Sequence, residues 1–141
     1  MTYLLDISTL LAWLWKNHAA HDRVMAWEKG LVVALCPLTE LGFLRISTQP
    51  TFGASMDDAR RMLRDFMSVR SPEFVPCDVS ALNGTPATAS GKVTDFYLAN
   101  LAGGRGMMLA TLDSGISHPA AFVVPEPLAA RTPASSSPSS E

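Results

Sequence analysis

The sequence predicts an α/β fold built around a parallel sheet, and three observations carry that prediction. Short apolar runs recur that are too continuous for strands with one wet face, as in Leu31-Val32-Val33-Ala34-Leu35. Segments of helical periodicity follow them closely. Acidic residues stand at the junctions, beginning with Asp6 in Leu4-Leu5-Asp6-Ile7-Ser8-Thr9-Leu10-Leu11.

Tyr3 to Leu5 reads as the first buried strand. A helix carrying Leu10, Leu11, Trp13, Leu14 and Trp15 begins at once, with Ser8 or Thr9 as its expected cap. Asp6 then falls at the carboxyl end of a buried strand, where ligand sites form in open parallel sheets. Lys16-Asn17-His18 breaks the pattern. His18 to Lys29 reads as a second helix, ended by Gly30. Leu31 to Leu35 is a central strand, closed by Cys36-Pro37. Pro37 suits the first turn of the next helix, which runs to Ile46 and carries Glu40 in that turn.

Thr48 to Ala54 contains Pro50 and Gly53 and reads as a loop. Ser55 caps the clearest amphipathic helix. Met56, Ala59, Met62, Leu63, Phe66 and Met67 share one face, and Arg60, Arg61, Arg64 and Asp65 take the other. Ser71-Pro72 ends it. Glu73 to Pro76 reads as an edge strand, because the flanking prolines exclude a central position. Asp78 to Leu82 is expected as a short helix and Asn83 to Gly91 as a surface loop. Val93 to Leu101 is a helix capped by Thr94, with Asp95 in its first turn and Gly103, Gly104 and Gly106 at its end. Met107 to Ala110 is a fourth strand leading into Thr111-Leu112-Asp113, and Phe122 to Val124 a fifth. Residues 1–126 make one expected domain, and the Ser/Pro-rich stretch 127–141 an expected disordered tail.

Composition narrows the function classes. Of 141 residues, 48% are hydrophobic and only 17% charged, which is apolar for a soluble chain of this size and points to surface covered by a partner. No apolar run approaches the roughly 18 residues of a membrane span. The N-terminal apolar run lacks a preceding basic segment and is interrupted by Asp6, so a secretory signal is not expected and the cytoplasm is. Cys36 and Cys77 are too few for a disulfide framework; both are expected to be buried, reduced thiols.

Asp6, Glu40, Asp95 and Asp113 share one grammar: each follows a strand or opens a helix. In a right-handed parallel sheet, strand ends and the helix starts that follow them lie on the same edge, so the four can converge. Carboxylates crowded in an apolar surround need a cation to stay ionised. Hard oxygen donors suit Mg²⁺ or Mn²⁺, which can bridge a phosphate and activate water. The competing reading makes each acid a helix cap.

Four blocks also resemble a known family. Leu4 to Leu11, Cys36-Pro37-Leu38-Thr39-Glu40-Leu41-Gly42-Phe43-Leu44-Arg45, Val93-Thr94-Asp95-Phe96-Tyr97-Leu98 and Ala110-Thr111-Leu112-Asp113 are similar, in order and spacing, to the motif blocks of PIN-domain ribonucleases. Among these the VapC-type toxins of toxin–antitoxin pairs look most similar, over residues 1–125. The resemblance implies a three-layer α/β/α fold with a parallel sheet ordered 3-2-1-4-5. It implies a Mg²⁺- or Mn²⁺-dependent endoribonuclease, a homodimer and a cognate antitoxin. It places Asp6, Glu40, Asp95 and Asp113 on the family's metal-binding acids, with Ser8 and Thr111 in supporting positions. Many members carry Asn where Ser8 stands, and Ser114-Gly115-Ile116 supplies no further acid for a second metal.

The net charge of −2 opposes nucleic-acid binding only until the acids are placed. With the four set aside as ligands, nine acids remain against eleven Lys and Arg, so RNA is not excluded. Arg45 and Lys92 are candidates to hold phosphates, with solvated surface charge as the alternative. Arg60, Arg61 and Arg64 read as a solvated face. His18-x-x-His21 has no third ligand nearby, and His118 has no evident partner. Two other functions stay open: a PIN-like module that binds RNA or protein without cleaving, and a phosphatase- or dehalogenase-like hydrolase with Asp6 as nucleophile. Phosphatases of that class want Asp-x-Asp, and Asp6-Ile7-Ser8 lacks the second Asp.

Overall fold

The computed structural model describes residues 1–127. β1 (Thr2–Leu5) and α1 (Ile7–Leu14) lead into α2 (His21–Trp27), β2 (Val32–Leu35), α3 (Pro37–Ser47) and α4 (Met56–Arg70). β3 (Glu73–Phe74), α5 (Val93–Gly103), β4 (Met108–Thr111) and β5 (Ala121–Val123) follow. The strands form one sheet in the order β3-β2-β1-β4-β5. Every neighbouring pair is parallel.

Double burial explains the continuous apolar runs. Leu5, Val33, Leu35 and Ala110 face a core shared with α1, α2, α3 and α4. The alternate residues Leu4, Ala34 and Leu109 face α5 through Leu98, Ala99, Leu101 and Ala102. The result is three layers, helices on both faces of the sheet. Each fully buried leucine contributes roughly 1.5–3 kcal/mol. β1 lies at the centre, with Leu4 opposite Ala34 on one side and Leu109 on the other. The short β3 is an edge strand, as its prolines require, and Phe74 is exposed there.

Several elements depart from expectation. Asp6, not Ser8 or Thr9, caps α1: its carboxylate accepts from the Thr9 backbone N–H. α2 begins at His21 rather than His18, because the His18 ring accepts from the Ala20 N–H and holds the chain in a turn. α5 starts at Val93 after a 3-10 turn over Ser90–Lys92, so Lys92 is the cap position and Thr94 lies inside the helix. Asp78 to Leu82 is irregular. Val79 packs against the α5-side core but Leu82 is 94% exposed, so a helix there would bury too little apolar surface to hold it. Cys36 is buried as expected, but Cys77 is exposed. His118 does have a partner, the Asn100 side-chain oxygen at 2.7 Å. No helix among the described residues is long and apolar enough to cross a membrane. The tail expected over 127–141 lies, from residue 128 on, outside the described residues.

Candidate active site

The carboxyl edge of the sheet is assembled by buried hydrogen bonds. Leu5 and Ala110 are register partners on β1 and β4. Just past them the Asp6 N–H donates to the Ala110 carbonyl at 3.1 Å, and the Thr9 hydroxyl donates to the same oxygen at 3.0 Å. The Asp6 carboxylate is only 3% exposed and accepts from the Thr9 N–H at 2.8 Å and the Ser8 hydroxyl at 3.2 Å. Burial pushes the Asp6 carboxyl above its ordinary range, against hydrogen bonds from Thr111, Thr9 and Ser8 that favour the charged form. Ser8 and Thr111 are thus both placed beside Asp6.

α3 is fastened to the same edge by Thr39, whose buried hydroxyl donates to the Leu5 carbonyl at 2.8 Å. That clasp sets the first turn of α3 beside the end of β1, with Glu40 next in sequence. Glu40 is half-buried and its carboxyl is raised by burial alone. It faces the groove between α3 and α4, with Arg60 and Arg64 on the opposite wall. Thr39 was not singled out in the sequence; its only signal is a hydroxyl in the first turn of a helix that follows a buried strand.

Asp95 and Asp113 complete the edge. Asp95 lies in the first turn of α5. Its carboxyl is raised by burial first, then by the negative charge of Asp6, with a smaller contribution from Asp113; Lys92 opposes. Asp113 is held the other way. The Lys92 ammonium forms an ion pair with it and the Gly115 N–H donates to it at 2.8 Å, so its carboxyl is lowered. The turn over Ser114-Gly115 thus brings a backbone N–H to Asp113.

Asp95 feels the charge of both Asp6 and Asp113, and Glu40 stands on the same sheet edge without a resolved coupling to them. Arg45 is exposed in the last turn of α3, about 140° round the helix from Glu40, and is not brought to the acids. As the side chains stand, no group of three or more His, Cys, Asp or Glu among the described residues encloses an ion. The donor chemistry nevertheless suits a hard divalent cation: carboxylate oxygens whose mutual repulsion a cation removes.

A stability prediction follows for Asp6. A carboxyl raised in the folded state costs stability once ionised, and the cost grows as pH rises from its unfolded value through its folded one. Asp6→Asn keeps the cap oxygen and removes the charge. Without metal it should melt at or above wild type, with a margin that widens as pH rises above the unfolded carboxyl value of about 4. Asp6→Ala loses the cap as well and should fall below Asp6→Asn by about 1 kcal/mol. Thermal melts of the three proteins check both.

Comparison with known proteins agrees with this architecture. No family model matches the chain. Ribonuclease VapC38 of Mycobacterium tuberculosis is 39% identical over 121 residues, 80% of this chain and 86% of that protein. Ribonuclease VapC44 of the same organism is 34% identical over 127 residues, 83% of this chain and 89% of the relative. Among solved structures, VapBC2 from Rickettsia felis bound to a DNA fragment from its promoter matches with a TM-score of 0.55 at 13% identity, over 86% of this chain and 96% of that one. FitAB bound to an IR36 DNA fragment matches with a TM-score of 0.58 at 21% identity, over 82% and 87%. At those identities the structural likeness establishes the fold alone.

Proposed function

The chain belongs to the VapC family of ribonucleases, and we propose that it hydrolyses RNA with a divalent cation held by Asp6, Glu40, Asp95 and Asp113. The observation that supports the site assignment is that four acids stand at one edge of the sheet, with Asp95 under the charge of both Asp6 and Asp113. A non-cleaving module has no need to keep all four, and a hydrolase with Asp6 as nucleophile does not account for Asp95 and Asp113.

Mg²⁺ or Mn²⁺, when bound, supplies charge neutralisation at the phosphate and a more acidic water. The chain's residues supply orientation. Asp6 is locked by Ser8, Thr9 and Thr111, so its carboxylate keeps one direction. Thr39 and Thr9 tie α3, α1 and β4 to the end of β1, which fixes the spacing of the acids. The purified protein is expected to cleave RNA with Mg²⁺ or Mn²⁺ and to lose that activity on exhaustive chelation. Cleavage that survives chelation would remove the metal from the mechanism.

The partners are a cognate antitoxin and a second copy of the chain. The antitoxin segment is placed over the groove between α2 and α4. Trp13, Met25, Met62, Phe66 and Val69 make that groove apolar, and its volume is ≈ 420 Å³. A second copy covers the apolar surface around Leu41 and Val93, which are 62% and 55% exposed. Such contiguous apolar surface is what a covered face looks like in an isolated chain.

A further inference from the structure

We propose that Lys92 is the site's own counter-cation: its ammonium group engages Asp113 where a divalent ion would, and that ion pair must break for the ion to bind. The proposal rests on the metal-binding reading above. Both Asp113 oxygens are committed. The Gly115 N–H donates to Oδ1 and the Lys92 ammonium donates to Oδ2. A divalent ion that takes Oδ2 as a ligand therefore meets an ammonium group already in place.

Lys92 is built into this position. It is the cap residue of α5, and Asp95 follows three residues later, so the two share one face of the helix start. Its attraction reaches Asp95 as well as Asp113. The side chains of Lys92 and Asp113 are 33% and 40% exposed, so the pair is partly shielded and water can reach it to exchange partners. Gly115 leaves room for the arrangement: a Cβ there would lie 3.1 Å from Asp113 Oδ1 and 3.6 Å from the Lys92 nitrogen. A cap residue normally contributes an oxygen to the helix N-terminus. A cation there opposes the helix dipole, and it is tolerated because the acids around it outweigh that cost. Two positive ions cannot share the site without repulsion, so Lys92 competes with the metal and weakens its binding.

Calorimetric titration of Mn²⁺ into the full chain tests this, comparing wild type with Lys92→Met, Lys92→Gln and Lys92→Arg. The neutral variants are expected to bind Mn²⁺ about fivefold more tightly, as loss of a partly exposed ion pair allows. Lys92→Arg should stay near wild type. The use of two neutral variants guards against one that fails to fold, which circular dichroism reports. If wild type binds Mn²⁺ and the folded neutral variants bind it equally or more weakly, Lys92 is not a competitor and the proposal falls while the metal site stands. If wild type and every variant fail to bind Mn²⁺, the proposal falls together with the reading on which it rests.

Discussion

Asp95→Asn is expected to abolish most RNA cleavage while leaving the metal-free fold intact. Asp95 sits in the first turn of α5 and carries no cap hydrogen bond; Lys92 holds the cap position. Its carboxyl is crowded by Asp6 and Asp113. Removing its charge relieves that repulsion and gives up a helix-dipole contribution of about 0.3–1 kcal/mol. The two oppose, so the metal-free melt should stay close to wild type or rise slightly. Cation binding responds differently, because a neutral amide oxygen is a poorer ligand for a hard ion. Outer partners of metal ligands typically cost about 10–100-fold in affinity or activity when mutated. A direct ligand should cost at least about a hundredfold. Cleavage rates measured across a Mn²⁺ titration, set beside melts without metal, measure both sides. A variant that still cleaves at the wild-type rate would make Asp95 a residue of helix stability only.

The second large effect is structural and lies beneath the site. A Cβ on Gly42 would stand 2.3, 2.5 and 3.0 Å from three carbons of the Ile7 side chain. Ile7 opens α1 directly after Asp6, and Gly42 lies two residues past Glu40 in α3. The close approach of α1 and α3 at this glycine therefore sets the distance between two of the proposed ligands. Gly42→Val puts a branched side chain where even one carbon forces Ile7 to turn. Overpacking of this kind costs about 1–3 kcal/mol. The variant is expected to melt well below wild type and, at temperatures where it is still folded, to bind Mn²⁺ more weakly. Gly42→Ala should show a smaller change in the same direction. Unchanged melting in Gly42→Val would mean that the two helices separate at no cost.

Gly42 also marks the limit of what the sequence discloses. The strands were legible because the sheet is buried on both faces, so Leu31 to Leu35 is unbroken by polar residues. The acids were legible because strand ends and helix starts have their own residue signatures. Asp6 was legible at the right junction, with cap and ligand as competing readings; the cap reading holds for it, and cap and candidate ligand are the same side chain. Thr39 was passed over because its role depends on a carbonyl of another strand, 34 positions away. The direction of Lys92 was hidden for the same reason, since a charge near the site does not declare whether it faces phosphate or carboxylate. Asp78 to Leu82 misled because its composition suits a helix, while the fold anchors only Val79, against the α5-side core and the Tyr97 hydroxyl, and leaves Leu82 in solvent.

The convergence of the acids on one cation is tested most directly by Mn²⁺ titration of wild type beside Asp6→Asn, Glu40→Gln, Asp95→Asn and Asp113→Asn. Saturable binding to wild type is expected, weakened by each of the four substitutions, with metal-induced stabilisation shrinking in step with affinity. Binding to wild type that none of the four substitutions alters, or no saturable binding at all, would contradict a shared site and return these carboxylates to separate roles in capping and solvation.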